Sequence, residues 1–431
     1  MAATWLLRRP IARAEGGMDA GSWLVLGAAM FNLLLCFANT RHWIAAGNAD
    51  IILIELVILT AGLVCIRHHI GKTTIQAVLL VILYLVGLKL INPGLDLKIL
   101  HDVAIMYVFY KLGSLSSIER ANRTLWILML IVLGFGAFEW LVPDLFGRIF
   151  NVWSYYVNKG VIGQDAVDYS GSNLFISGSR GSTALRNFFP GIFGAHRISS
   201  VFLEPDSLGN FAVIVFAWCL STRTSTARSR YALLALSGLC VVLADSRFAG
   251  ICCIVMLVCR QTLLLRSSAF VVFAPVAVVI GLTIAGSFSP MPRNTPPFIL
   301  QDDFVGRLLF SGRLLNGWGA EQWFGVAASQ VYTADTGYAY FINNLGLPLA
   351  FIMLLSLAFN RTAGPEAAWM KAMMSIYFAA SLCIGASVFT IKTASLLWFL
   401  YGAANAAGAP MPWRAAFMRP GLAPAQPGGA V

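Results

Sequence analysis

Charge is what this chain has least of. Only 11% of its 431 residues are Asp, Glu, Lys or Arg, where a soluble domain carries about 25%. Hydrophobic residues make up 58%, and the mean hydropathy is +0.75. That balance excludes an ordinary soluble domain. Acidic residues are scarcer than basic ones, 19 against 30, and there are five histidines. The eight cysteines (Cys36, Cys65, Cys219, Cys240, Cys252, Cys253, Cys259, Cys383) all fall in or at the ends of apolar runs. With none in the polar segments, a disulfide framework is not expected, and no Cys/His cluster has zinc-ligand spacing. A net charge of +11 does not require nucleic acid, because the positive-inside bias of membrane proteins accounts for much of it. Arg8 and Arg9 are followed by Pro10, Arg13 and Glu15 rather than an apolar core with a cleavage site, so no secretory signal is expected.

Apolar runs are what the chain has in abundance. About twenty residues at 1.5 Å rise cross a hydrocarbon core of ~30 Å. Runs near that length recur at 21–38, 50–66, 73–91, 98–113, 124–142, 207–221, 230–245, 247–264, 268–286, 338–358, 370–388 and 390–406. The expected fold is an all-α integral membrane protein of about 12 transmembrane helices. Two long polar loops, 143–207 and 287–337, interrupt it. Residues 1–20 form a short cytoplasmic segment and 21–407 one polytopic domain. The Pro/Gly/Ala-rich 408–431 reads as a disordered cytoplasmic tail.

With both termini inside, the inner segments hold 17 of the 30 basic residues, the short outer connections and span ends 5, and the long loops the other 8. The bias rule is counted over short loops, so 17 against 5 turns both long loops outward. Glu55, Lys89, Asp102, Glu139, Asp245, Arg247 and Lys392 all lie toward the outer ends of their spans. A charge in hydrocarbon costs about 2.5–3.5 kcal/mol, so this shared side points to a polar cavity open outward. The mid-bilayer stretches are almost free of charge. That argues against an ion-coupled transporter, whose coupling sites lie near the midplane.

Helix connections usually run roughly 2–8 residues, so 143–207 is far longer than a linker needs to be. It holds Arg148, Arg180, Arg186, Arg197, His196 and the Glu204-Pro205 pair. Arginine grips phosphate oxygens with a planar fork, which marks Arg197 and Arg180 for an anion. Pro205 biases Glu204 to extended backbone, setting its carboxylate just before a helix that Asp206 or Ser207 can cap. Glu204 is the first candidate base, with His196 in reserve. In the second loop, Arg307 and Arg313 have leucine neighbours at 308, 309, 314 and 315, the pattern of a short amphipathic helix at an interface. Arg313 and the span-edge Arg247 are further anion candidates, Asp335 a further carboxylate, and Trp318 and Tyr338 candidates for stacking on sugars.

Five segments in a fixed order carry a resemblance. They are R-I-S-S-V-F-L-E-P-D-S-L-G at Arg197–Gly209, D-S-R-F-A-G at Asp245–Gly250, S-G-R-L-L-N-G-W at Ser311–Trp318, D-T-G-Y-A-Y-F-I-N-N-L-G at Asp335–Gly346, and F-T-I-K-T-A-S-L-L-W-F-L at Phe389–Leu400. Together they resemble the bacterial O-antigen polymerase/ligase superfamily, the Wzy type, and within it exopolysaccharide polymerases of the xanthan kind. The resemblance implies a GT-C-like membrane glycosyltransferase of the inner membrane with both long loops in the periplasm. Such enzymes join polyprenyl-diphosphate-linked oligosaccharide repeat units, and the diphosphate is the leaving group. No cofactor and no metal are implied. Arg197, Arg313, Arg180 and Arg247 would bind the diphosphate, Glu204, Asp335 or His196 would take the acceptor's proton, and Trp318 and Tyr338 would bind sugar. Membrane lipid, a chain-length regulator and export machinery are the implied partners. An O-antigen ligase uses the same donor with another acceptor and is the nearest alternative. A multi-span transporter or flippase for lipid-linked sugars is the alternative of a different class.

Overall fold

The computed structural model describes residues 17–96, 98–163, 173–174, 188–194, 196–222, 226–262, 268–288, 304–329, 331, 333 and 336–407. Among these the chain is helical, with no strand. In order the helices are α1 (Ala20–Thr40), α2 (Asn48–Ile66), α3 (Lys72–Ile91), α4 (Lys98–Ser114), α5 (Ile118–Leu141), α6 (Pro143–Ile149), α7 (Val152–Asn158), α8 (Pro190–Phe193), α9 (Pro205–Ser221), α10 (Ala227–Ala244), α11 (Arg247–Cys259), α12 (Ser268–Ser287), α13 (Phe304–Asn316), α14 (Ala320–Trp323), α15 (Gly337–Phe359), α16 (Pro365–Ser381) and α17 (Ile391–Ala407). Short 3-10 turns precede α9 and α17 at 200–202 and 387–389.

Each of the twelve apolar windows is occupied mainly by a helix. Seven of those helices, α1, α2, α3, α5, α10, α12 and α15, are long and apolar enough to cross a membrane. The other five are shorter: α4, α9, α16 and α17 have 17 residues and α11 has 13. Of these five, α9 and α17 are the most buried. α9 packs against α10, α11, α16 and α17, and α17 against α1, α4, α5, α9 and α16. Apolar residues all round these two helices therefore meet protein. α3 is the opposite case. Its Leu80, Leu83 and Leu90 are 67%, 69% and 81% exposed, a surface suited to lipid rather than water.

Two backbone features shape the frame around the site. α4 and α17 cross where Gly113 faces the Phe399 carbonyl and Gly402 faces the Tyr110 carbonyl, so a Cβ on either glycine would strike backbone. Small residues let membrane helices approach this closely. α15 is broken at Gly346 (φ 67°), two residues before Pro348. Proline removes a backbone donor and opens the helical ladder. The Tyr84 hydroxyl of α3 donates to the Leu345 carbonyl at 3.1 Å, so this part of the break keeps a partner.

The long loops contain their own helices. α6, α7 and α8 belong to the first and α13 and α14 to the second. α13 covers Arg307 and Arg313, where the leucine pattern predicts a helix. It packs against α12 through Gly286 and Gly312, and its Leu314 and Leu315 are buried.

Candidate functional site

Glu204 occupies the N-cap position of α9 with extended backbone (φ −137°, ψ 124°) and Pro205 in the first turn. The expectation that Asp206 or Ser207 caps this helix is corrected. Pro205 has no amide hydrogen, so the helix starts one residue after Glu204, and Asp206 and Ser207 fall inside the first turn. Ser207 instead donates its hydroxyl to Glu204 Oε2 at 2.9 Å.

The segment leading into Glu204 is held in a costly conformation. Ser200 (φ 55°) and Leu203 (φ 60°) are both left-handed, and such residues cost about 1–3 kcal/mol each. The clamp is Glu139 of α5, which is fully buried. Its carboxylate accepts from the Ser200 amide at 2.6 Å, the Ser199 amide at 3.0 Å and the Ser199 hydroxyl at 3.0 Å. His196 Nε2 lies 2.8 Å from the same carboxylate. On the other side, the Ile198 amide donates to the Leu243 carbonyl at 3.0 Å. Arg197 Nε donates to the Ala244 carbonyl at 3.1 Å, and Arg197 Nη2 pairs with Asp206 at 2.7 Å. Residues 196–200 are thus stapled between α5 and the C-terminal end of α10, and this fixes where α9 begins.

Two elements distant in sequence complete the surroundings of Glu204. Tyr156 of α7 donates its hydroxyl to Glu204 Oε1 at 2.8 Å. α7 is itself anchored: Asn151 caps it through the Ser154 amide, and Tyr155 donates to Asn32 of α1 at 2.7 Å. Lys392, in the first turn of α17, donates to Glu204 Oε2 at 2.5 Å. A cation at a helix N-terminus opposes the helix dipole, and Glu204 compensates it. Lys159 follows at the end of α7, with its ammonium 5.5 Å from the Tyr156 ring centre.

Lys392 is buried, whereas Glu204 keeps 34% of its side-chain surface open. Burial pushes the Glu204 carboxyl upward. The charges of Lys392 and Lys159, with hydrogen bonds from Lys392 and Tyr156, outweigh it and hold the group at about 2. Burial and the neighbouring Lys392 lower Lys159, against the pull of Glu204 and Glu55. Burial and the adjacent Glu204 charge raise the Tyr156 hydroxyl, so it stays a donor.

This sets a sign for acid stability. A carboxyl depressed in the folded state contributes stability that is present above its unfolded value and lost as pH falls through its folded value. Wild-type protein is expected to lose thermal stability between about pH 4.5 and pH 2 more steeply than Glu204→Gln, as read by unfolding scans in detergent. Parallel curves would count against the ion pair.

A second polar group lies alongside. Lys98 donates to Asp102 at 3.1 Å, and Tyr340 of α15 donates to the same carboxylate at 2.8 Å. His101 lies 3.4 Å from both Asp102 and Glu55 of α2. Lys159 connects the two groups electrostatically, feeling Glu204 and Lys392 as well as Glu55 and Lys98. Among the described residues, no three His, Cys, Asp or Glu side chains gather as a metal site.

No protein-family model, curated protein or solved structure matches the chain.

The residues singled out in the sequence are distributed as follows. Glu204 is at the centre of the polar group. Arg197 is adjacent to it through Asp206 but does its work on α10 and α9. His196 is buried against Glu139. Arg247 opens α11 and is exposed, and Arg313 is half-buried on α13. Trp318 meets Trp323 edge-on with ring centres 5.7 Å apart. Tyr338 is 4% exposed with its hydroxyl on the Ala379 carbonyl, so it offers no open ring face. Arg180 and Asp335 lie outside the described residues. Tyr156 and Lys159 carry no motif, and sequence reading misses them. Lys392 is visible as one of the outer-end charges and as the lysine of the Phe389–Leu400 segment, without a role assigned to it.

Proposed function

We propose that this protein polymerises polyprenyl-diphosphate-linked oligosaccharide repeat units into exopolysaccharide at the outer face of the bacterial inner membrane. The acceptor hydroxyl attacks the anomeric carbon of the growing chain, the lipid diphosphate leaves with the bonding electrons, and Glu204 takes the hydroxyl proton. The observation that carries the reading is the setting of Glu204. It is an ionised carboxylate fixed at a helix N-terminus by three donors, partly open, with two ammonium groups beside it. A positioned carboxylate and preorganised cations are what a transfer with an anionic leaving group requires. The motif resemblance supplies the substrate class.

The proposal includes twelve spans, with both termini in the cytoplasm and residues 143–207 and 287–337 in the periplasm. Single cysteines replacing Ile192 and Asn316, both exposed, are expected to react with an impermeant maleimide in intact spheroplasts. Labelling of both only after lysis would reverse the topology. The polymerase itself is tested by supplying the purified protein with a lipid-linked repeat unit and resolving the products by size. A ladder of longer lipid-linked chains is expected. Transfer confined to an added lipid acceptor would make it a ligase.

A further inference from the structure

Two lysines converge on one carboxylate. Lys392 touches Glu204 directly, and Lys159 stands beside it over Tyr156. Lys159 is attracted by the charges of Glu204 and Glu55 and repelled by those of Lys392 and Lys98. Arg197, which sequence reading favours for a phosphate, is held on the Ala244 carbonyl and Asp206. Among the described residues, the cations acting on the open carboxylate are therefore lysines. A lysine ammonium is a compact charge on a flexible stem, able to change partners without moving the backbone.

We infer that Lys392 and Lys159 form the anion subsite for the diphosphate, and that the arriving anion draws Lys392 off Glu204 and so frees the carboxylate to act as base. The inference rests on the function proposed above. It resolves a tension in that function, because a carboxylate gripped by an ammonium is a weak proton acceptor, and base strength follows proton affinity. A diphosphate offers more negative charge and more acceptor oxygens than one carboxylate. Once Lys392 bonds to it, Glu204 retains only the Tyr156 and Ser207 hydroxyls, and its burial then favours the protonated form. The base is thus switched on only when the leaving group is in place. In the transfer, the hydroxyl oxygen bonds to the anomeric carbon and the bond from that carbon to the diphosphate oxygen breaks. The electron pair stays on the diphosphate, facing both lysines, and the proton ends on Glu204.

The test uses full-length purified protein in detergent, with inorganic pyrophosphate as the probe and calorimetry as the readout. Lys392→Met and Lys159→Met are each expected to weaken pyrophosphate binding by about tenfold or more, the scale of one charged hydrogen bond. Lys392→Arg should retain most of the affinity. The double variant Lys392→Met/Glu204→Gln removes both members of the ion pair, so it keeps the test open if Lys392→Met does not fold. It too should bind weakly. Near pH 5, wild-type binding should take up a proton that Glu204→Gln does not, a signal a merely structural lysine would not produce.

Polyprenyl diphosphate should displace the probe and phosphatidylglycerol should not. Displacement by phosphatidylglycerol would make the subsite one for ordinary lipid headgroups and overturn the diphosphate assignment. Wild-type affinity in both Lys159→Met and the double variant overturns the subsite, even if wild-type protein polymerises lipid-linked sugar. Lysine-dependent binding in a protein that transfers no lipid-linked sugar leaves the subsite standing and removes the proposed function.

Discussion

Glu204→Gln is expected to lower turnover of a lipid-linked repeat unit by at least about 10²-fold, within the 10²–10⁴-fold that a positioned base contributes. Glutamine keeps the length of the side chain and one carbonyl oxygen, so either Tyr156 or Ser207 retains its acceptor. It cannot hold the proton, and its amide has no charge to pair with Lys392. The lost charge should leave substrate binding intact or tighter, because Lys392 is then free for the anion. The loss should therefore appear in kcat rather than in KM. Glu204→Asp withdraws the carboxylate by one methylene and should keep a measurable fraction of the rate. A wild-type rate for Glu204→Gln would take this residue out of the chemistry. His196 is not a ready replacement, since its Nε2 is engaged by Glu139. A loss of activity in His196→Ala would then be accompanied by a loss of stability.

The largest effect on folding is expected at Glu139. Glu139→Ala leaves the amides of Ser199 and Ser200, the Ser199 hydroxyl and the His196 ring without the acceptor they share in a fully buried place. Each buried donor left unsatisfied costs about 1–3 kcal/mol, and breaking a buried charged partnership about 3–5 kcal/mol. The unfolding midpoint in detergent should fall sharply, or the protein should fail to accumulate. The left-handed residues at Ser200 and Leu203 would lose their clamp as well, so any folded Glu139→Ala should place Glu204 badly. Glu139→Gln keeps one acceptor oxygen and should suffer less. An unchanged midpoint in Glu139→Ala would contradict the role given to this carboxylate.

Much of the frame was legible in the sequence because helix periodicity and apolar run length are local properties. Each of the twelve apolar windows is largely helical, and seven of the helices are long and apolar enough to span. The burial of α9 and α17 was less legible, since a run buried in protein and a run facing lipid look alike in composition. Glu204 was legible through Pro205, which fixes both its extended backbone and the start of α9. Its partners were not. Lys392 is 188 residues away and Tyr156 is 48 away, and nothing local in W-S-Y-Y-V-N-K marks Tyr156 or Lys159. The useful signal was collective. Glu55, Asp102, Glu139 and Lys392 were each unremarkable as span-edge charges, but their shared bias to one side pointed to a polar group. The structure resolves that group into separate pairings, Glu139 with the His196–Ser200 segment and Lys392 with Glu204. Residue type alone points His196 and Arg197 to chemistry, whereas their partners make them staples of the loop.

The most direct test of the proposed function is polymerisation by the purified, reconstituted protein given only a synthetic polyprenyl-diphosphate-linked repeat unit. Products would be resolved by size with the lipid end labelled. The expected result is a ladder of chains rising in whole repeat units, with free polyprenyl diphosphate released in proportion to the bonds formed. Protein that is folded and binds the substrate, yet releases no diphosphate and forms no chain longer than one unit, would contradict it.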